Sequence, residues 1–353
     1  MRIIAILILF FLFFNIIFSY NVIGDNILKF LPIGTTINYY IHETSSNLNS
    51  YVTFDIYIKM QWNGTAFNIS GKSISHTTPV TFGNGTTIIN ITGSYEYPLN
   101  LWIYVTGAGT PTGFLETSKS FTYYNGIPAL ELKDYNNYTY ISLQYMIPLK
   151  AYFSENLNPA TNQTFSSLLI MNNSELSFYT GSYKVYNATF NYAYQNYPVN
   201  LNLLVASKEA SLELLNYSNK LSLSIVGSQF ISILLPITTF NDLDGIGKFI
   251  YNGSTYYIIL SSQGTSLYLN SSVPIVASLI PGTNYYMISV PYSGNLTLVF
   301  NGNYQPHVNS SIITPQLSVK TVNVGSSINF LYPIIAAILI GVVIYLNYRL
   351  RKK

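Results

Sequence analysis

The chain has 353 residues, of which 8% are charged, 16% are aromatic and 33 are tyrosines. It contains no cysteine, so disulfides, thiolate metal sites and thiol redox chemistry are excluded. The formal net charge is only +3 and the basic residues form no patch away from the chain ends, which excludes a phosphate-contacting surface for nucleic acid. β-Branched and aromatic residues are abundant, and they favour β-strands over disorder.

Residues 3–18 form an apolar run that follows Arg2 and contains one polar residue, Asn15. A basic residue, an apolar stretch and the small residue Ser19 are the parts of a secretory signal peptide. The run is short for a membrane span, which takes about 20 residues. We therefore predict a signal peptide at residues 1–19 that is cleaved after Ser19, with an uncleaved anchor helix as the alternative.

Ten segments are predicted as strands because apolar and polar residues alternate along them. They are residues 51–60, 86–92, 97–105, 138–146, 183–194, 199–205, 221–226, 256–260, 285–290 and 296–300. Turn-forming pairs such as Asn63-Gly64 and Asn125-Gly126 separate several of them. Short strands with frequent turns predict antiparallel β-sandwiches. Two stretches of ambiguous period, 164–171 and 207–217, are candidates for short helices.

The strand at 97–105 resembles residues 197–205, and residues 295–300 are a fainter copy. The spacing suits one sandwich domain per copy, although strands rich in Asn and Leu also look alike by chance. The sequence therefore predicts an all-β fold with two or three tandem antiparallel β-sandwich domains, placed at residues 20–106, 107–206 and 207–300. Linkers are expected at 106–113 and near 207–211, and the Pro-containing stretch 301–327 is expected to be a stalk.

A second apolar run at residues 330–346 predicts a transmembrane helix over 328–348, long enough for a hydrocarbon core of about 30 Å. Four basic residues in the tail 349–353 place that tail in the cytoplasm. We therefore predict a single-pass type I protein of the cell membrane, with membrane lipid around the helix and most of the chain extracellular. Setting Arg2 and the tail aside leaves 11 lysines and 13 carboxylates, so the outer part is slightly acidic.

Asn-X-Ser/Thr sequons are more frequent than the composition gives by chance, and they predict N-glycosylation on an exposed surface. The 13 candidate sites are Asn63, Asn68, Asn84, Asn90, Asn137, Asn162, Asn172, Asn187, Asn216, Asn252, Asn270, Asn295 and Asn309.

The tetrapeptide Asp-Leu-Asp-Gly at 242–245 is similar to the middle of a calcium loop, which makes Asp242 and Asp244 weak candidates for a calcium site. Phe240 and Tyr251 occupy the first and last positions of a complete EF-hand loop and cannot ligate, so a polar turn is the simpler interpretation.

No catalytic or cofactor-binding residue is predicted. The three histidines His42, His76 and His307 share no ligand spacing, and neither a nucleophile elbow nor a phosphate loop is present in the sequence. No aspartate lies in the Asp-Thr-Gly or Asp-Ser-Gly turn of an aspartic protease, although carboxylates distant in sequence can still converge. The aspartates of the outer part are Asp25, Asp55, Asp134, Asp242 and Asp244.

We expect the tyrosines to pack the sheets with their hydroxyls in water; stacking on sugars is the alternative.

The lack of cysteine, the abundance of Tyr, Asn, Ser and Thr, the dense sequons and the C-terminal anchor resemble exported proteins of thermoacidophilic archaea. Two families of that setting are similar in composition. Resemblance to the membrane-anchored stalk proteins of archaeal surface layers implies an envelope role, although their long coiled coil is absent from this sequence. Resemblance to thermopsin-like acid peptidases implies acid-active hydrolysis, although no segment matches a catalytic motif.

Sparse charge also suits an acidic exterior. Few carboxylates mean that little stability is lost when carboxylates become protonated, and acid slows deamidation of the Asn-Gly pairs. An outer part that is unfolded at about pH 3 yet stable at neutral pH would contradict this expectation.

These patterns predict a single-pass cell-surface glycoprotein with a structural, adhesive or partner-binding role, contacting surface proteins or glycans and using no cofactor. A membrane-anchored, acid-stable extracellular hydrolase is the alternative, and an anchored solute-binding protein is the third possibility. A carboxylate pair in a cleft clear of sequons would favour the hydrolase. A long unglycosylated apolar or tyrosine face would favour partner binding, and a deep cleft between domains would favour solute binding.

Overall fold

The computed structural model describes residues 31–47, 50–64, 66–79, 85–95, 118–158, 163–194, 197–217, 220–236, 245–251, 254–260, 267–269, 276–280, 285–300 and 310–324. Its strands belong to one compact unit that ends at Val322. The predicted signal peptide at 1–19, strand at 97–105, membrane helix at 328–348 and basic tail lie outside these residues. Within the described part of the chain, no helix has the length and hydropathy needed to cross a membrane.

The described residues are all-β, in keeping with their many β-branched and aromatic residues. The first nine strands belong to one sheet. These strands are β1 (Thr36–Asn47), β2 (Ser50–Trp62), β3 (Phe67–Pro79), β4 (Gly85–Tyr95), β5 (Ser118–Tyr124), β6 (Ile127–Asp134), β7 (Asn137–Ser142), β8 (Pro148–Asn158) and β9 (Gln163–Ser174).

The remaining described strands follow without an intervening helix among the described residues. They are β10 (Tyr183–Tyr194), β11 (Tyr197–Ser207), β12 (Glu209–Tyr217), β13 (Lys220–Ser228), β14 (Ile231–Pro236), β15 (Gly245–Tyr251), β16 (Ser254–Leu260), β17 (Leu267–Leu269), β18 (Val276–Leu279), β19 (Tyr285–Val290), β20 (Gly294–Phe300), β21 (Ser310–Ile313) and β22 (Gln316–Val322).

The strands form three antiparallel sheets. Sheet A has nine strands in the order β4-β3-β2-β1-β9-β8-β7-β6-β5. Sheet B has six strands in the order β18-β19-β14-β11-β10-β22, and sheet C has seven in the order β17-β16-β15-β20-β13-β12-β21. The predicted all-β, antiparallel class is confirmed for the described residues, whereas the tandem sandwich domains are not confirmed.

Sheet A consists of two meanders, β1–β4 and β5–β9, that are joined by the pairing of β1 with β9. It therefore contains strands from both sides of residue 106, where the sequence predicts a domain boundary. The Asn125-Gly126 pair forms the predicted tight turn between β5 and β6, with φ of 51° and 81°. Positive φ at both positions is the geometry of a type I′ hairpin turn, which Asn and Gly tolerate best.

Two of the crossings of the chain between sheets B and C lie side by side. Ser207, at the end of β11, is fully buried, and its hydroxyl lies 2.7 Å from the carbonyl oxygen of Glu209 and 3.0 Å from that of Ser228. This hydroxyl ties the crossing from β11 to β12 to the crossing from β13 to β14. The stretch near 207–211, where the sequence predicts a linker, is thus a hydrogen-bonded strand crossing.

Tyrosines join sheet A to sheet B. The Tyr123 hydroxyl donates to the carbonyl oxygens of Gly181 (3.0 Å) and Val322 (2.9 Å), and the Tyr183 hydroxyl donates to that of Thr122 (2.8 Å). The Tyr123 and Tyr183 rings pack edge to face with centroids 5.3 Å apart. Each ring thus contributes apolar area while its hydroxyl satisfies a carbonyl that folding has desolvated.

Nine of the ten predicted strands fall on described residues, and all nine are strands. The strand predicted at 138–146 ends earlier, at Ser142, because a tight turn follows in which the Met146 N–H donates to the Ser142 carbonyl oxygen (2.9 Å). The two candidate helices are wrong: residues 164–171 lie in β9 and residues 207–217 lie mostly in β12. Both segments are held between two partner strands, whose ladder bonds outweigh an ambiguous local preference.

Within the predicted stalk at 301–327, residues 310–313 form β21 in sheet C and residues 316–322 form β22 in sheet B. Pro315 lies between these two strands, where its missing N–H interrupts neither ladder. The sparse apolar residues of this stretch made it look like a linker, and β22 is indeed exposed on both faces.

β2 and β3 approach each other tightly at Gly71. A Cβ atom at this position would lie 2.1 Å from the Tyr57 carbonyl oxygen, whereas a Cβ at Gly93 of the neighbouring β4 would meet nothing within 4 Å. We expect Gly71→Ala to lower the free energy of unfolding by about 2–4 kcal/mol, because the two strands must move apart. The matched variant Gly93→Ala should change it by less than about 1 kcal/mol. Urea unfolding of both variants measures the difference, and equal stabilities would show that β2 and β3 are not this close.

Candidate functional site

The outer face of sheet A carries half-exposed polar and aromatic side chains across its nine strands. On β1, Ile37, Tyr39 and Ile41 point to the core face, and the residues between them point outward. On β2, Ile56, Ile58 and Met60 are buried, in keeping with the alternation that predicted this strand. The outward residues define the outer face, and the strand register arranges them in rows that cross all nine strands.

Two such rows run through the middle of the sheet. The first is Ser118, Lys133, Tyr138, Tyr152, Leu168, His42, Asp55, Ile74 and Ile88. The second is Ser120, Glu131, Tyr140, Lys150, Ile170, Tyr40, Tyr57, Lys72 and Asn90. Residues that face each other in such rows are about 4.5–5.5 Å apart at their Cβ atoms, so each row is a line of contacting side chains.

The tyrosine group consists of Tyr124, Tyr138, Tyr140 and Tyr152, on β5, β7 and β8. Tyr124 and Tyr140 are stacked with ring centroids 5.2 Å apart, Tyr138 and Tyr152 are stacked at 5.7 Å, and Tyr138 meets Tyr140 edge to face at 5.8 Å. The Lys150 ammonium lies 5.2 Å from the Tyr138 ring centre. Each ring of the two stacked pairs therefore has one face covered by its partner.

Tyr140 is held by a carboxylate of the neighbouring strand. Its hydroxyl donates to Glu131 (2.8 Å), and the other oxygen of Glu131 accepts from the Ser120 hydroxyl (2.8 Å). Partial burial, followed by the bond to Glu131, raises the pKa of Tyr140 to about 12. The phenol therefore remains a donor under all physiological conditions.

Tyr40, His42 and Asp55 form a second cluster on β1 and β2. One Asp55 oxygen accepts from the Tyr40 hydroxyl (2.6 Å) and lies 2.8 Å from His42 Nδ1, whose N–H donates to it. The hydrogen bond from Tyr40 is the main cause that lowers the pKa of Asp55. His42 and the charge of His76 also lower this pKa, whereas burial of the carboxyl raises it. The same bond raises the pKa of Tyr40 to about 12. Since the His42 and Asp55 side chains are 37% and 26% exposed, the pair contributes only about 1 kcal/mol or less to stability.

Glu43 is an unusual residue on the core face. It pairs with Phe54 on one side and Ser167 on the other, below the outer rows. Burial raises the pKa of Glu43 from its usual 4.5 to about 7, and the Ser167 hydroxyl offsets this only in part. The carboxyl is therefore protonated in acid, where it sits in the apolar layer without a charge.

A depression of about 510 Å³ opens on the outer face over β1–β4 and the end of β9. Its lining includes Tyr57, Lys59, Ser70 and Lys72, and it is bordered by the sequon residues Asn90 and Asn172. It is wide and shallow, which does not match the deep cleft that a small-solute site needs.

The sequons differ in exposure. Exposed asparagines are Asn63, Asn68, Asn90, Asn172 and Asn187, and half-buried ones are Asn137 and Asn295. Asn216 lies on β12, and the sites outside the described residues are Asn84, Asn162, Asn252, Asn270 and Asn309. The predicted N-glycosylation itself stays a prediction.

The other candidate residues are dispersed. His76 is exposed, with its ring 3.2 Å from the Thr86 hydroxyl, and Asp134 ends β6. The calcium candidates Asp242 and Asp244, together with His307 and Asp25, lie outside the described residues. Among the residues that are described, no three His, Asp or Glu side chains converge as metal ligands would.

Four of the described carboxylates contact neutral donors or a lysine. Asp55 and Glu131 bond to hydroxyls and an imidazole, Glu175 accepts from the Thr36 N–H (2.8 Å), and Glu209 lies 3.7 Å from Lys184. None of these contacts is the shared proton between two carboxylates that an acid peptidase requires.

The sequence predicted the alternation on β2 but not the rows of the outer face. The available signal was a tyrosine or lysine at every second position of 138–140 and 150–152, which marks an outward strand face. What the sequence lacked was the register that brings distant strands side by side.

Comparison with known proteins adds no constraint, since no protein-family model, curated protein or solved structure matches this chain.

Glu43 leads to a testable pH dependence. Its pKa is higher in the folded chain than the usual 4.5, so its contribution to stability is full below pH 4.5 and is lost as pH rises through about 7. The expected loss is at most about 3 kcal/mol, and less where water reaches the carboxyl. Glu43→Gln should remove this loss, as measured by urea unfolding between pH 4 and pH 8. Glu155→Gln, on the exposed part of β8, is the control; identical pH profiles for the wild type and Glu43→Gln would contradict the assignment.

Proposed function

We propose that this chain is a single-pass cell-surface glycoprotein whose extracellular part binds a partner protein or glycan of the cell envelope through the outer face of sheet A. The observation that carries the proposal is the pair of side-chain rows crossing nine strands, which present tyrosine hydroxyls, lysines, an imidazole and carboxylates without being buried. A sheet face that served only to pack would carry apolar residues, as the opposite face of the same sheet does.

The half of this face built by β5–β8 meets the condition that favours partner binding. This half carries the tyrosine group. The exposed sequons of sheet A lie on the other strands or beside them: Asn63 follows β2, Asn68 is on β3, Asn90 is on β4 and Asn172 is on β9. Asn137, at the start of β7, is half-buried, and its side-chain oxygen accepts from the Ser154 N–H (2.8 Å). Partners therefore have access to this half even if every exposed sequon carries a glycan.

The place of the protein in the membrane rests on the sequence. The predicted signal peptide at 1–19, the predicted helix at 328–348 and the basic tail support a type I orientation with the sheets outside the cell. The compositional resemblance to surface proteins of thermoacidophilic archaea supports an acidic exterior. The raised pKa of Glu43 agrees with that setting, because its carboxyl is neutral in acid.

For the fold we propose that sheets B and C pack as one β-sandwich. The support is the repeated crossing of the chain between them, with buried residues such as Phe190 and Leu201 in sheet B and Leu223 and Leu298 in sheet C belonging to one hydrophobic core. Sheet A would then stand beside the sandwich, joined to it by Tyr123 and Tyr183.

The test is crosslinking of neighbours on intact cells, comparing the wild type with Lys150→Glu. Lys150 lies within the tyrosine group, and reversing its charge changes the binding face while leaving the core intact. We expect recovery of the crosslinked neighbour to fall by about tenfold, the effect of losing roughly 1.4 kcal/mol of binding free energy. Lys320→Glu, on the exposed strand β22 of sheet B, is the matched control. Equal recovery from both variants, with unfolding temperatures unchanged, would place the partner surface elsewhere.

A further inference from the structure

Asn90 and Asn172 are attachment positions that border the same depression. Asn90 lies on β4 and Asn172 on β9, and both side chains are exposed and line the depression. Four strand spacings separate β4 from β9, which corresponds to about 19 Å across the sheet. A chain of a few sugars attached at either side is long enough to reach the middle.

The floor of the depression suits an oligosaccharide. Lys59, Ser70 and Lys72 are exposed and offer ammonium and hydroxyl groups, and Tyr57 presents a ring that is 42% exposed. The Lys72 ammonium lies 5.4 Å from the centre of that ring. The lining contains no carboxylate, so the hydroxyl and ring oxygens of a sugar meet donors and no competing negative charge. A shallow, open shape also fits a chain-like occupant better than a small solute.

We propose that the oligosaccharides linked to Asn90 and Asn172 fold back over the depression and cover the β1–β4 half of the outer face of sheet A. The occupant is thus part of the protein itself, held covalently at both borders and by hydrogen bonds to the floor. The β5–β8 half, with the tyrosine group, is left as the open part of the face. This inference refines the proposed function, because it divides the face into a covered half and a binding half.

The experiment uses the full chain isolated from membranes of its native host. Glycopeptide mass spectrometry determines occupancy at Asn90 and Asn172, and a water-soluble amine-acylating reagent measures the accessibility of Lys59 and Lys72. In the double variant Asn90→Gln/Asn172→Gln, these two lysines should become acylated about threefold faster or more, because a bulky solvated group no longer shields them. Lys150 and Lys320 should react at the wild-type rate.

Two controls keep the outcome interpretable. Asn187→Gln removes an exposed sequon of sheet B and should leave the reactivity of Lys59 and Lys72 unchanged. Thr92→Ala removes the Asn90 sequon while keeping the asparagine, and should reproduce the part of the effect that belongs to that glycan. Unmodified Asn90 and Asn172 peptides, or equal lysine reactivity in wild type and double variant, would overturn the inference. Neither result bears on whether Lys150→Glu loses its neighbour, so this inference and the proposed function fail separately.

Discussion

The antiparallel pairing of β1 with β9 is the contact on which the rest of sheet A depends. It joins residues 36–47 to residues 163–174, so the chain must close a loop of more than 100 residues before the two meanders become one sheet. Such a closure is entropically costly, and it is offset by burial of residues such as Ile41 and Leu169, which face each other across the pair and are fully buried. The same register sets Leu168 beside His42, and with it every contact that links the two halves of the outer face.

A second constraint is the scarcity of charge. The outer face has few ionised side chains that could keep it hydrated. Tyrosine takes their place, because its ring packs against neighbours while its hydroxyl stays in water. The stacked Tyr124–Tyr140 and Tyr138–Tyr152 pairs show this directly. The charges that are present are held by neutral donors, as Asp55 is by Tyr40 and Glu131 is by Tyr140. Such a surface depends little on ion pairs, which acid would break.

The alternation of apolar and polar residues predicted strands wherever one face of the strand is buried and the other is wet. β2 and β10 are examples, and for β10 the predicted bounds match the observed ones. Segments without a clean alternation were missed or misassigned, notably β9 and β12, where ladder bonds on both sides decide the structure. The three domains expected along the chain do not correspond to the sheets, because β1 pairs with β9 and because the chain leaves sheet B for sheet C and returns to it more than once. Such non-local pairings leave no local sequence pattern.

The sequence by itself determined the β class, the face of each well-patterned strand, the hairpin turn at Asn125-Gly126 and the positions where a glycan can be attached. These properties depend on neighbours within a few residues, through side-chain period and backbone φ. Only the tertiary structure decided that His42 meets Asp55, that four tyrosines from three strands pack as one group, and that Asn90 and Asn172 border one depression. The reason is physical: a strand has two free edges, and which distant strand fills each edge depends on the core that the whole chain can bury.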